Sequence, residues 1–93
     1  MDSFSEIIVT AIDKVKNAVV KIDRYSVFRG KERITGSGSG FVFSSDGLIL
    51  TNAHVIENSS RLNITLLDGN EFTAEVTGFD KDTDIAIIKI FGS

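Results

Sequence analysis

The sequence predicts an all-β fold: a six-stranded antiparallel barrel with a short N-terminal helix. Three observations carry that expectation. Beyond Ala18 the apolar residues fall in short β-branched and aromatic runs, such as Val19-Val20-Lys21-Ile22 and Ile85-Ala86-Ile87-Ile88, a composition that suits a pleated, half-buried surface. Tight-turn residues separate the runs, notably Ser45-Asp46-Gly47 and Asp68-Gly69-Asn70, and these residue types accept the left-handed backbone a hairpin requires. The segments between runs are too short for crossover helices, and a small open sheet would leave two reactive edges, so closure into a barrel is expected.

The elements follow in order. Ser3 with Glu6 forms a capping box, and Phe4, Ile7, Ile8, Ala11, Ile12 and Val15 recur at helical spacing, which predicts an amphipathic helix over residues 4–15 within an N-terminal segment 1–17. The barrel is expected over residues 18–93. Its first strand carries Val19, Val20, Ile22, Tyr25, Val27 and Phe28 and ends at a polar turn, Arg29-Gly30-Lys31-Glu32-Arg33. Strand two is read as Gly36 to Ser44 and strand three as Gly47 to Thr51. Glycines at 36, 38 and 40 alternate with serines, so one face of strand two lacks side chains and admits the close approach of another backbone or a substrate. Strand four spans Arg61 to Leu67, strand five Glu71 to Phe79 and strand six Ile85 to Ile90.

Bulk properties narrow the function classes. Ninety-three residues make one domain, burying about 60–65% of the surface its unfolded chain exposes, enough for one modest core. The apolar share of 42% and charged share of 25% are those of an ordinary globular protein, and no apolar run approaches the ~18 residues of a membrane-spanning helix. A net charge of −3 with scattered basic residues offers no stripe for phosphates, so nucleic acid is not an expected partner. Cysteine is absent, which excludes disulfides and thiolate metal sites. The first residues, Met1-Asp2-Ser3-Phe4, lack the basic and apolar regions of a signal peptide.

The chemistry-bearing residues lie at two strand ends. Thr51-Asn52-Ala53-His54-Val55 follows the apolar run Leu48-Ile49-Leu50 and holds the only histidine, and farther on Thr83-Asp84 opens the run Ile85-Ala86-Ile87-Ile88-Lys89-Ile90. Imidazole, with an unperturbed pKa of about 6.5, accepts and returns a proton near neutrality. A carboxylate bonded to one ring nitrogen fixes the tautomer and stabilises the imidazolium. His54 and Asp84 are therefore candidates for a general base and its orienting partner. Singly, each has an ordinary reading, a surface or core histidine and a turn aspartate.

Other patterns fail on inspection. Asp80-Lys81-Asp82-Thr83-Asp84 opens like a calcium loop, but Ile85 stands at the glycine position and Phe91 at that of the bidentate glutamate. His54 and Glu57 alone make a poor zinc site. Phe41 breaks a G-x-G-x-x-G match and Gly38 stands where G-x-S-x-G needs serine. Asn58-Ser59-Ser60 and Asn63-Ile64-Thr65 match the glycosylation pattern, which means little by itself.

Together with Gly36-Ser37-Gly38-Ser39-Gly40-Phe41-Val42-Phe43 and Asp46-Gly47-Leu48-Ile49-Leu50-Thr51-Asn52, the His and Asp segments resemble those of the trypsin-like serine proteases, and more narrowly the HtrA/DegP branch, over roughly residues 18 to 91. The resemblance implies the first of two barrels and peptide-bond hydrolysis through an acyl-enzyme. It further implies unfolded or damaged polypeptide as substrate, no metal or organic cofactor, and an extracytoplasmic or periplasmic setting. It implies His54 as base and Asp84 as its partner. Two departures are plain: no Gly-Asn-Ser-Gly-Gly-like segment occurs, so nucleophile and second barrel are missing, and Asn17 stands where such proteases often have proline. The chain is expected to be inactive alone and to self-associate through the surface a second barrel would cover. The alternative reading is a non-catalytic, self-associating barrel fragment or interaction module.

Overall fold

A computed structural model describes residues 19–92. The helix expected over residues 4–15 lies outside the described residues. Six strands and one short helix follow: β1 (Val19–Phe28), β2 (Lys31–Val42), β3 (Leu48–Thr51), α1 (Ala53–Ile56), β4 (Arg61–Thr65), β5 (Glu71–Asp80) and β6 (Ile85–Gly92). The strands close in the order β1-β2-β3-β6-β5-β4. Every pairing is antiparallel, and β4 returns to β1 through Lys21↔Thr65 to Tyr25↔Arg61. The predicted all-β, six-stranded antiparallel barrel is the observed architecture.

Period-two patterning builds the core. Val20 and Ile22 from β1, Ile49 from β3, Leu62 and Ile64 from β4, and Ala86 and Ile88 from β6 point inward, and all are buried. Ala53, Val55 and Ile56 of α1 join the same cluster. α1 contacts β1, β2, β5 and β6, so it plugs the barrel end where β3 stops and β6 starts.

Several strand boundaries differ from expectation. The turn expected over residues 29–33 is only two residues long. Arg29 (φ 53) and Gly30 (φ 76) both take left-handed backbone, the geometry whose twist matches the flanking strands, and Lys31, Glu32 and Arg33 continue into β2 opposite Phe28, Val27 and Ser26. β2 therefore starts five positions earlier than the glycine pattern suggests (31 against 36) and ends at Val42 rather than Ser44. Similarly β4 stops at Thr65, short of Leu67, because Leu66 and Asn70 close the next turn by a backbone bond of 2.9 Å. β6 extends past Ile90 to Gly92.

The β1–β2 ladder carries a bulge. Tyr25 pairs with Ile34 and Arg24 with Gly36, which leaves Thr35 without an opposite residue. Beyond it the hairpin runs on with its apolar residues Val27, Phe28 and Ile34 exposed.

Candidate active site

The site begins where β3 ends. Thr51 is buried, and its hydroxyl donates to the Ser39 carbonyl at 2.8 Å, tying the last residue of β3 to β2. Asn52 stays extended (φ −96, ψ 145) and precedes α1. Its side-chain amide donates to the Asp84 carbonyl at 3.1 Å, and so does the Ala53 backbone N–H, also at 3.1 Å. α1 is a single turn with Ala53, Val55 and Ile56 facing the core and His54 facing solvent. So short a helix has almost no ladder of its own, and packing and outside bonds must fix its direction.

Glycine at position 38 is what admits it. A Cβ there would lie 2.6 Å from Cγ2 of Val55, and one at Gly36 would lie 2.6 Å from Nη2 of Arg24. The bare face read from the sequence is thus covered by the histidine-bearing turn at Gly38, by an arginine at Gly36, and at Gly40 by Ile49 and the Leu50 backbone carbonyl, the close backbone approach expected there.

Asp84 faces His54 from the turn before β6. It is a non-glycine residue with φ 57, a conformation aspartate tolerates better than most residues at a cost of about 1–3 kcal/mol. The bend turns its carboxylate toward α1. Oδ1 accepts the His54 backbone N–H at 2.9 Å, and Oδ2 lies 2.7 Å from Nδ1 of the His54 ring. The structure therefore brings together the two residues singled out in the sequence, and one carboxylate holds both the main chain and the ring of the histidine. Asp84 is held below the usual carboxylate range first by the His54 amide and then by the ring, with partial desolvation working the other way.

The side chains of His54 and Asp84 are 68% and 44% exposed, so the pair stands at the surface, open to a third group. A carboxylate at Nδ1 favours the tautomer protonated there and leaves the Nε2 lone pair as acceptor. Among the described residues no hydroxyl reaches Nε2. Nearby serines are engaged elsewhere: Ser37 donates to Asp23 at 2.7 Å, Ser26 to the Asn58 carbonyl at 2.8 Å and Ser60 to the Tyr25 carbonyl at 3.1 Å. The arrangement can take a proton at Nε2 and stabilise the resulting imidazolium.

Beside α1 lies an open cleft of about 250 Å³ with Ala53, Ile56, Val76 and Phe79 on its apolar side. Glu57 and Lys81 pair at its rim, 3.3 Å apart. Among the described residues no three potential ligands cluster to hold a metal. Asp80 accepts the Asp82 backbone N–H at 3.0 Å, ordinary turn chemistry.

Arg24 escaped the sequence reading as a site residue. It counts there among scattered basic residues, and on a strand that also carries Lys21, Asp23 and Ser26 nothing local marks it out. Its guanidinium donates to the His54 carbonyl at 2.9 Å.

The profile of the trypsin-like peptidase domain matches residues 38–93. This chain belongs to the trypsin-like peptidase family. HtrA/DegP relatives extend the match over most of it. Serine protease HTRA1A of Danio rerio is 44% identical over 85 residues, covering 89% of this chain and 18% of the relative. Putative serine protease HhoB of Synechocystis is 38% identical over 106 residues, covering 89% of this chain and 26% of the relative. A probable periplasmic serine endoprotease, DegP-like, of Chlamydia trachomatis is 44% identical over 62 residues, covering 67% of this chain and 12% of the relative. This trypsin-like chain thus spans about a fifth of the length of the HTRA1 relatives it matches. No described helix is long and apolar enough to cross a membrane.

Proposed function

We propose that residues 18–93 form the His–Asp barrel of an HtrA-like serine endopeptidase acting on unfolded or damaged polypeptide, with His54 as general base and Asp84 as its orienting partner. Residues 1–17 precede the barrel as a separate segment. The observation that carries this reading is the 2.7 Å approach of Asp84 Oδ2 to His54 Nδ1, with the second oxygen on the His54 amide. The sequence has no Gly-Asn-Ser-Gly-Gly-like segment, so the serine and its oxyanion-stabilising amides come from outside these residues, on a second barrel.

In that assembly the serine hydroxyl meets Nε2. His54 takes its proton as the oxygen bonds to the peptide carbonyl carbon, and Asp84 stabilises the imidazolium. The same proton passes to the departing amine, leaving an acyl-enzyme, and water then repeats the transfer to release the acid. No metal or organic cofactor is required. By analogy with the periplasmic relative the setting is extracytoplasmic, and the exposed apolar residues favour a homo-oligomer as the working form.

Fusing the chain to the second barrel of an HTRA1 relative tests the reading. The fusion should degrade unfolded casein, His54→Ala should lower turnover ~10⁴-fold or more, and the 93-residue chain alone should leave casein intact. Undiminished turnover in His54→Ala would defeat the assignment.

A further inference from the structure

We propose that Arg24 is a positioning residue for His54, holding the carbonyl of the candidate base while Asp84 holds its amide. The proposal rests on the reading of His54 as a base. Arg24 sits on β1 at the bulge, where Thr35 has no opposite residue. Its guanidinium turns over that irregularity: Nη2 donates to the Thr35 carbonyl at 2.8 Å, Nε to the Thr35 hydroxyl at 3.1 Å, and Nη1 to the His54 carbonyl at 2.9 Å. A guanidinium is planar with donors in fixed directions. Two of them spent on Thr35 therefore set where the third points, and the bulge becomes the reference from which the histidine-bearing turn is located.

Two further observations agree. Among the described residues Arg24 has no carboxylate partner, so its donors serve the Thr35 and His54 carbonyls and the Thr35 hydroxyl. The side chain opposite it is the missing one at Gly36, where a Cβ would lie 2.6 Å from Nη2. His54 is consequently held at three points, by Asp84 at the amide and ring and by Arg24 at the carbonyl. α1 contributes little orientation of its own, its first turn closing through Val55 N–H to the Asn52 carbonyl at 3.1 Å. Without Arg24 the turn can rotate about the Asp84 contacts and carry the ring away from Oδ2.

NMR of the ¹⁵N-labelled 93-residue chain reads this directly, through the His54 imidazole tautomer and the exchange of its Nδ1 proton with solvent. Arg24→Met, folded by circular dichroism, should lose Nδ1–H tautomer and exchange that proton about tenfold faster, the scale of one lost bond from a charged donor. Arg24→Lys, which keeps one donor, should recover part of the effect. Gly36→Ala, which leaves Arg24 chemically intact but displaces its guanidinium, should shift both signals the same way. A lower unfolding midpoint with the tautomer and exchange unchanged in Arg24→Met would make Arg24 merely structural and overturn the proposal. Should Arg24→Met not fold, unchanged signals in both Arg24→Lys and Gly36→Ala overturn it. Asp84→Asn separates the two layers: an unmoved tautomer there removes the His–Asp reading itself, whereas a shift in Asp84→Asn without one in the Arg24 and Gly36 variants removes only the role of Arg24.

Discussion

The two ends of the β1–β2 hairpin are treated differently by the fold. At its base, β1 and β2 are clasped by the rest of the barrel: Ile22 is fully buried, Gly38 receives Val55, and Arg24, Ser26 and Tyr25 bond to the segment from His54 to Ser60. At its tip the backbone ladder continues to Phe28↔Lys31, yet Val27, Phe28 and Ile34 are each more than half exposed. Backbone pairing, with Glu32 tied to Arg61 of β4 at 2.7 Å, is thus enough to extend a ribbon whose apolar side chains stay uncovered. Fixing a side chain for chemistry takes packing and bonds from distant segments. The comparison also separates two kinds of apolar residue, those that hold the site and those left for another surface.

The sharpest way to break the contrast is to truncate an apolar side chain at each end. Ile22→Ala, at a position with no exposure, should cost about 2–5 kcal/mol, a large part of what a domain of this size has. Phe28→Ser at the tip, 64% exposed, should change stability by no more than about 0.5 kcal/mol. Urea unfolding of the two variants measures the difference, and equal losses would mean that the tip is covered in solution.

Gly38→Ala comes next. Its added methyl meets Val55 at 2.6 Å, an overpacking that should cost about 1–3 kcal/mol and weaken the His54–Asp84 bond more than an equally destabilising change at the tip. Thermal unfolding beside the His54 Nδ1 proton signal checks both parts.

A smaller effect concerns acid. Asp84 has a lowered folded pKa, so the stability its ionised form contributes is complete above the ordinary carboxylate value of 3.8 and is lost as pH falls through the lowered one. Asp84→Asn should flatten that part of the acid unfolding curve while leaving the tip untouched. A curve unchanged by the substitution would show that the carboxylate is not held as described.

Self-association is the mildest expectation and tests the tip and other exposed apolar residues, Leu67 and Phe91 among them. Sedimentation equilibrium should give a mass rising above the 10.1 kDa of one chain with concentration, less steeply in Phe28→Ser. A mass constant at one chain would rule association out.

How much of this was legible follows from the range of the forces involved. Strand periodicity and turn residues act over a few positions, and the six strands and their closure into an antiparallel barrel could be read from the apolar runs and the turns between them. His54 and Asp84 were legible as candidates because each stands at the edge of an apolar run. The start of β2 was not, since Gly30 lets a polar segment close in two residues and continue as strand. Nor was α1, whose four residues are helical because three of them bury against the barrel and Asp84 accepts the His54 amide. The bulge at Thr35 leaves no local trace, and so the part taken by Arg24 waited for the fold.

The pairing of β3 with β6 acts as a ruler for the site. Thr51↔Ala86 sets His54 and Asp84 at one height on the rim. A slip of two residues would keep every inward side chain inward, so the in–out pattern by itself does not discriminate against it. It would nevertheless carry Asp84 about 7 Å along the strand, beyond reach of Nδ1. A barrel assembled in that neighbouring register would keep its apolar residues inside and still be chemically silent, and the contact between these two side chains therefore reports, more strictly than the in–out pattern does, that the strands have aligned.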